Sequence, residues 1–278
     1  MPTMTDKTIT VIKPKKTFTL ADLKEIWEYR LLFATFAWRD VKVKYKQTLI
    51  GVAWAIIQPF VMMVVFSVIF GKLARIPSEG IPYPIFAYSG LLFWNYFSSS
   101  LGAMSGSLVG NQSILQKIYF PRLIVPFSSA LVNLVDFGFA SLVLAGLMIY
   151  YRFAPSLSGL LLLIPALLCT TLAFSGLGLL LASINVKYRD VRYALPFFLQ
   201  LLIFVTPVIY PTSILGKYQW LWYLNPMTGI IEMMRAALLG IHAMPWGMVV
   251  VSITLSSILF IIGVSYFNST EKYFADLV

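Results

Sequence analysis

Residues 50–71, IGVAWAIIQPFVMMVVFSVIFG, form an apolar run that contains no charged side chain. About 20 consecutive, mostly apolar residues suffice for an α-helix to cross the hydrocarbon core of a bilayer. The run therefore reads as a membrane span. Comparable runs follow at 85–108, 123–150, 159–183, 194–211 and 245–267. The whole chain of 278 residues is 59% hydrophobic and 12% charged, against roughly 25% charged in an ordinary soluble domain. A closed β-barrel would instead show alternating segments of about ten residues. The expected fold is an all-α polytopic membrane protein with six transmembrane helices.

Lysine and arginine set the orientation, because they accumulate in cytoplasmic loops. Ten precede Leu49: Lys7, Lys13, Lys15, Lys16, Lys24, Arg30, Arg39, Lys42, Lys44 and Lys46. Lys117 and Arg122 lie between spans two and three, Lys187, Arg189 and Arg192 between spans four and five, and Lys272 in the tail. The opposite face holds Lys72, Arg75, Arg152, Lys217 and Arg235. This asymmetry puts both termini in the cytoplasm. It also accounts for the net charge of +10 through topology and anionic lipid, so no nucleic-acid partner is called for. The polar, basic start of the chain lacks the apolar core of a signal peptide and reads as a flexible arm over 1–18.

Residues 19–48 read as an amphipathic interface region. Thr19 is the expected N-cap, and Leu23, Ile26, Trp27 and Leu31 recur at helical spacing, with Arg30 nearby. Such a helix lies along a membrane surface or a partner. The loop VGNQSILQKIYFPRLIVP, residues 109–126, suggests a turn or two of helix near Ile114–Tyr119, ended by Pro121. Its Ile114, Leu115, Ile118, Tyr119 and Phe120 would be costly in a plain connector, and a protein partner covering them would explain their presence. The six-span body is taken as 49–267, and a cytoplasmic tail as 268–278.

Between spans five and six lies WLWYLNPMTGIIEMMRAALLG, residues 220–240. It is too apolar to float in water, and Asn225-Pro226 breaks it into halves too short to span. Proline suits the first turn of a helix, where its missing N–H would be unpaired anyway. The expectation is a pair of re-entrant exoplasmic helices, which are tolerated at membrane depth only where protein or a water-filled cavity covers them; an interfacial helix that anchors the protein is the equal alternative.

Several chemistries are missing. There is no G-x-x-x-x-G-K-[ST] phosphate loop, no carboxylate pair placed for glycosyl transfer and no His–Glu–His zinc pattern. Cys169 is the single cysteine and His242 the single histidine; both read as packing residues, and no metal site is expected. Asp136 is the one acid near the centre of a span, and so a functional candidate by default. No basic residue lies in a span interior to pair with it. It either faces a hydrated pathway or lies buried beside Asn133, and structural packing is the favoured reading. Phe93, Trp94 and Tyr96 around span two, and Phe197, Phe204 and Tyr210 around span five, offer flat apolar faces that suit a sliding sugar polymer. Ordinary core packing and interfacial belts are the plainer reading for any one of them.

Four stretches, in order, resemble the permease subunits of bacterial ABC polysaccharide exporters. They are RDVKVKYKQTLIGVAWAIIQP (39–59), YSGLLFWNYFSSSL with NQSILQKIYFPRLIVP (88–126), NVKYRDVRYALPFFLQLLIFVTPVIYP (185–211) and WYLNPMTGIIEMMRAALLG (222–240). The resemblance implies a multi-pass half-transporter of the bacterial inner membrane, paired with a second copy of itself and with two copies of a separate ATPase. That ATPase would bind ATP and Mg, leaving no cofactor and no catalytic residue in this chain. The implied substrate is a lipid-linked polysaccharide, with O-antigen foremost. Teichoic acid, or a small lipid or drug, is the runner-up within the architecture. A proton-coupled carrier relying on Asp136 is the rival of another class.

The resemblance also assigns roles by position. Asn111, Gln112, Leu115, Lys117, Tyr119, Phe120, Pro121 and Arg122 would couple to the ATPase. Leu23, Ile26, Trp27 and Arg30 would form a cytoplasmic gate helix. Trp220, Trp222, Tyr223, Asn225, Pro226, Glu232 and Arg235 would form the exoplasmic gate, with Glu232 and Arg235 as its polar face.

Overall fold

Helix α4 (Tyr83–Gly110) is buried along nearly its whole length, packed against α3 (Ala53–Phe66), α6 (Ile124–Tyr150), α7 (Leu157–Lys187) and α8 (Val191–Val205). Its composition suits that position. Small residues let neighbouring helices approach closely inside a membrane, and several α4 serines donate back to their own helix, as Ser89 does to the Phe86 carbonyl at 2.8 Å and Ser107 to Met104 at 2.7 Å. The structure is a computed structural model describing residues 20–46, 51–240, 243–271 and 274. The expected arm over 1–18, the Thr19 cap, His242 and most of the tail lie outside the described residues.

Helices stand at all six positions read as spans, and among the described residues the regular structure is helical throughout. Four helical stretches are long and apolar enough to cross a membrane: Ala53–Leu73, Ile124–Tyr150, Gly159–Lys187 and Trp246–Thr270. Helix α4 has the length but is more polar. Helix α8 is apolar but only 15 residues long. The expected span 194–211 thus starts earlier and stops sooner. A residue before proline is pushed out of the helical region, and Thr206, preceding Pro207, is extended at φ −89°, ψ 138°.

Helix α10 (Trp246–Thr270) crosses α7 where two glycines meet. A Cβ added at Gly263 would come within 2.1 Å of the Gly176 carbonyl oxygen. The remaining elements are α1 (Leu20–Glu28), α2 (Arg30–Lys46), the short α5 (Gln112–Leu115), a 3₁₀ stretch over Thr212–Leu224 and α9 (Pro226–Met234), which continues as a wider turn over Arg235–Leu239. The chain does break at Asn225, with Pro226 in the first turn of α9. Asn225 Oδ1 accepts from the Met227 N–H at 2.9 Å, and its Nδ2 donates to Thr206 Oγ1 at 2.8 Å. Residues 227–239 are buried against α4, α7 and α10. Protein covers this second half of the segment, whereas Trp220, Leu221 and Leu224 before the break stay exposed.

Candidate functional site

The loop after α4 is suspended between two distant parts of the chain. Asn111 ends α4 by donating to the Ser107 carbonyl at 2.9 Å, while its Oδ1 accepts from Arg39 of α2 at 2.8 Å. Helix α5 begins at Gln112, earlier than the turn expected near Ile114–Tyr119. Leu115 and Phe120 are buried, and Phe120 meets Phe36 of α2 edge-on with ring centroids 5.6 Å apart. Beyond half-buried Pro121, Arg122 donates its backbone N–H to Glu271 Oε1 at 3.4 Å and its guanidinium to the Glu271 carbonyl. The guanidinium also faces the ring of Phe274 at 5.9 Å. Lys117, Ile118 and Tyr119 are left exposed around a recess of about 200 Å³. The expectation that the whole apolar set is on offer to a partner needs correction: Leu115 and Phe120 anchor the loop, and the residues between them are presented.

Helices α1 and α2 form a bent arm. Ile26, Tyr29, Leu32 and Phe33 pack toward the core, whereas Trp27 and Leu31 stay exposed, so the buried stripe is offset from the face read off the sequence. Arg30 donates to the Trp27 carbonyl at 3.3 Å and lies 5.7 Å from the Trp27 ring. Leu23 falls within α1, and its side chain lies outside the described residues.

The far end of the arm brings Asp136 the partner the sequence withheld. Lys44 pairs with one carboxylate oxygen of Asp136, and the Tyr45 hydroxyl donates to the other. Lys44 also donates to Asn133 Oδ1 at 3.3 Å. Asp136 lies twelve residues into α6, about 18 Å along its axis at helical rise. Helix α2 thus runs beside α6 in the same direction, from Phe120 to Asp136. Burial, and then the bond to Asp136, raise the Tyr45 phenol above its usual range.

The exoplasmic candidates divide sharply. Trp220 is exposed and Tyr223 half-buried, while Trp222 is buried with its Nε1 donating to the Thr212 carbonyl at 3.1 Å and its ring 5.5 Å from Tyr210. Glu232 and Arg235 do not form a polar face: they are 2% and 1% exposed. Arg235 bonds Glu232 at 3.0 Å and donates to the carbonyls of Pro207 at 2.6 Å, Val208 at 2.7 Å and Phe86 at 3.3 Å. These include carbonyls freed where α8 ends before Pro207. Gly90 makes room, since a Cβ there would lie 2.9 Å from Arg235 Nη2. A buried charge is tolerable when paired and fully hydrogen-bonded, which this arrangement approaches.

Among the aromatic candidates, the α4 set is buried within this chain, and Tyr96 also lines a cavity beside Asp136. Phe93, Trp94 and Tyr96 are core residues within this chain: Phe93 and Tyr96 pack on Phe137 at 5.3 and 5.4 Å, and Trp94 packs on Phe97 at 5.6 Å. They point inward because α4 is surrounded. Phe197 and Phe204 on α8 remain exposed, and Tyr210 is half-buried.

The described residues thus form a body of apolar helices, with the loop after α4 braced by α2 on one side and by Glu271 and Phe274 on the other. The family model for the ABC-2 type transporter matches residues 32–239, and the chain belongs to that family. It is 28% identical over 262 residues to the O-antigen export system permease protein RfbA of Myxococcus xanthus, covering 92% of this chain and 98% of that one. It is 26% identical to a protein of the same name from Klebsiella pneumoniae, over 86% and 92% of the two chains. It is 22% identical to the polysialic acid transport protein KpsM of Escherichia coli, over 72% and 78%.

Proposed function

We propose that this chain is the permease half of an ATP-driven exporter that moves a lipid-linked polysaccharide, of O-antigen type, across the bacterial inner membrane. Two copies form the channel, each helix set crosses six times with both termini cytoplasmic, and a separate ATPase subunit binds and hydrolyses ATP. The observation that carries this reading is the near end-to-end match to permeases named for O-antigen export. The braced loop supports it, because a lever must be stiff to transmit force: movement at 117–119 would pass through Phe120 to α2 and through Arg122 to α10. Of the aromatic candidates for the glycan path, Phe197 and Phe204 are exposed on α8 and Tyr96 lines a cavity beside Asp136.

The test is purification of the tagged chain from native membranes. Co-purification of a nucleotide-binding subunit with ATPase activity is expected. A chain that purifies alone and without ATPase activity would reject the reading and return the Asp136-dependent carrier to the front.

A further inference from the structure

Beside Asp136, between α3, α4 and α6, lies an open-sided cavity of about 70 Å³. One water needs roughly 10–15 Å³ by this kind of measure, so the cavity has room for several. Its polar lining is Gln58 from α3, Asn95, Tyr96 and Ser99 from α4, and Asn133 and Asp136 from α6, the Tyr96 hydroxyl being bonded to Thr171 at 2.9 Å. Asn133 is 5% exposed; Lys44 takes its carbonyl, and its Nδ2 has no partner. A buried donor left unpaired is uncommon and calls for an explanation. Pro59, which also lines the cavity, has no N–H to offer the Ala55 carbonyl one turn back. Trp54 also lines the cavity and is 55% exposed.

We propose that this cavity receives the hydroxyl edge of one sugar unit of the exported glycan, an inference that rests on the exporter reading above. The charge state argues for a neutral occupant. Lys44 already balances the Asp136 carboxylate and Tyr45 donates to it, so a bare cation finds no spare charge and an anion meets a carboxylate. What the lining offers is a set of amide N–H and C=O groups beside a hydroxyl. A sugar hydroxyl both donates and accepts, and a neighbouring pair of them can satisfy one amide at both ends. Trp54 supplies an apolar ring for the C–H side of the same sugar. The volume takes the edge of a ring and no more, which suits a polymer that must keep moving.

The test uses the complete transporter in vesicles, in a Cys169→Ser background carrying Asn95→Cys or, separately, Ser99→Cys. A small hydrophilic methanethiosulfonate labels the introduced thiol, first without glycan and then with native lipid-linked polysaccharide stalled in transit by ATP removal. At nine-tenths occupancy, mass action slows labelling about tenfold, and that slowing at either position is the expected result. Equal labelling with and without glycan, in vesicles that do export, would overturn the cavity assignment while leaving the exporter reading intact. Thiols that never react would show the cavity closed and overturn it equally. Absence of export by the parent transporter would instead reject the exporter reading, and the occupant with it.

Discussion

Arg235 Cζ lies 3.7 Å from the centre of the Phe86 ring, so a charged group beyond α9 is held against the first turns of α4. The same guanidinium takes carbonyls from Pro207 and Val208. One side chain therefore joins the broken segment, the end of α8 and the start of α4. The broken segment between α8 and α10 is fastened into the helical body by its most polar residues. If it gates, it moves as part of a packed unit.

Arg235→Met is expected to be severely destabilising, because it removes the arginine that pairs with buried Glu232, a loss of about 3–5 kcal/mol for comparable broken pairs. The paired replacement Glu232→Gln with Arg235→Met should recover much of that. Thermal unfolding of the detergent-solubilised protein measures both. A single variant as stable as the parent would show that the pair contributes nothing.

Lys44 and Asp136 should couple energetically, since each removes the other's partner. A double-mutant cycle with Lys44→Met and Asp136→Asn should give an interaction of about 0.5–3 kcal/mol. Independent, additive effects on stability would mean that α2 is not anchored on α6 through this pair.

The loop makes two separable predictions. Lys117→Glu with Ile118→Ala should abolish ATPase association while the chain remains folded, as both side chains are exposed. Phe120→Ala should instead lower the stability of the chain itself by about 3–5 kcal/mol, the usual range for a buried phenylalanine. Pull-down and thermal unfolding, run on both variants, distinguish the effects. The reverse pattern would invert the roles given to the loop and its anchor.

At the crossing of α7 and α10, Gly263→Ala should force the helices apart. Overpacking of this kind costs about 1–3 kcal/mol, and the thermal midpoint should fall accordingly. An unchanged midpoint would place the crossing elsewhere.

Much of this architecture was legible in the chain because apolar length and the Asn225-Pro226 signal are local properties. Helices occur at all six expected positions, and the break falls where proline and a capping asparagine required it. Partners distant in sequence were not legible. Asp136 looked unpaired because Lys44 is 92 residues away on a helix read as superficial. The choice between core packing and a lining role for Phe93, Trp94 and Tyr96 was not legible, because nothing in one sequence says that α4 is surrounded, although its run of serines and glycines was a usable hint of central packing. Glu232 and Arg235 looked like a surface pair because the carbonyls that hold the arginine are created by the early end of α8. The hold of Glu271 and Phe274 on Arg122 had no local signature at all.

The most direct measurement of the central claim is transport of native lipid-linked polysaccharide in vesicles containing this chain and its ATPase partner. The account predicts translocation that requires ATP, both subunits and an intact 117–118 surface, and that proceeds without a proton gradient. Translocation by this chain alone, driven by a proton gradient and insensitive to ATP, would contradict it.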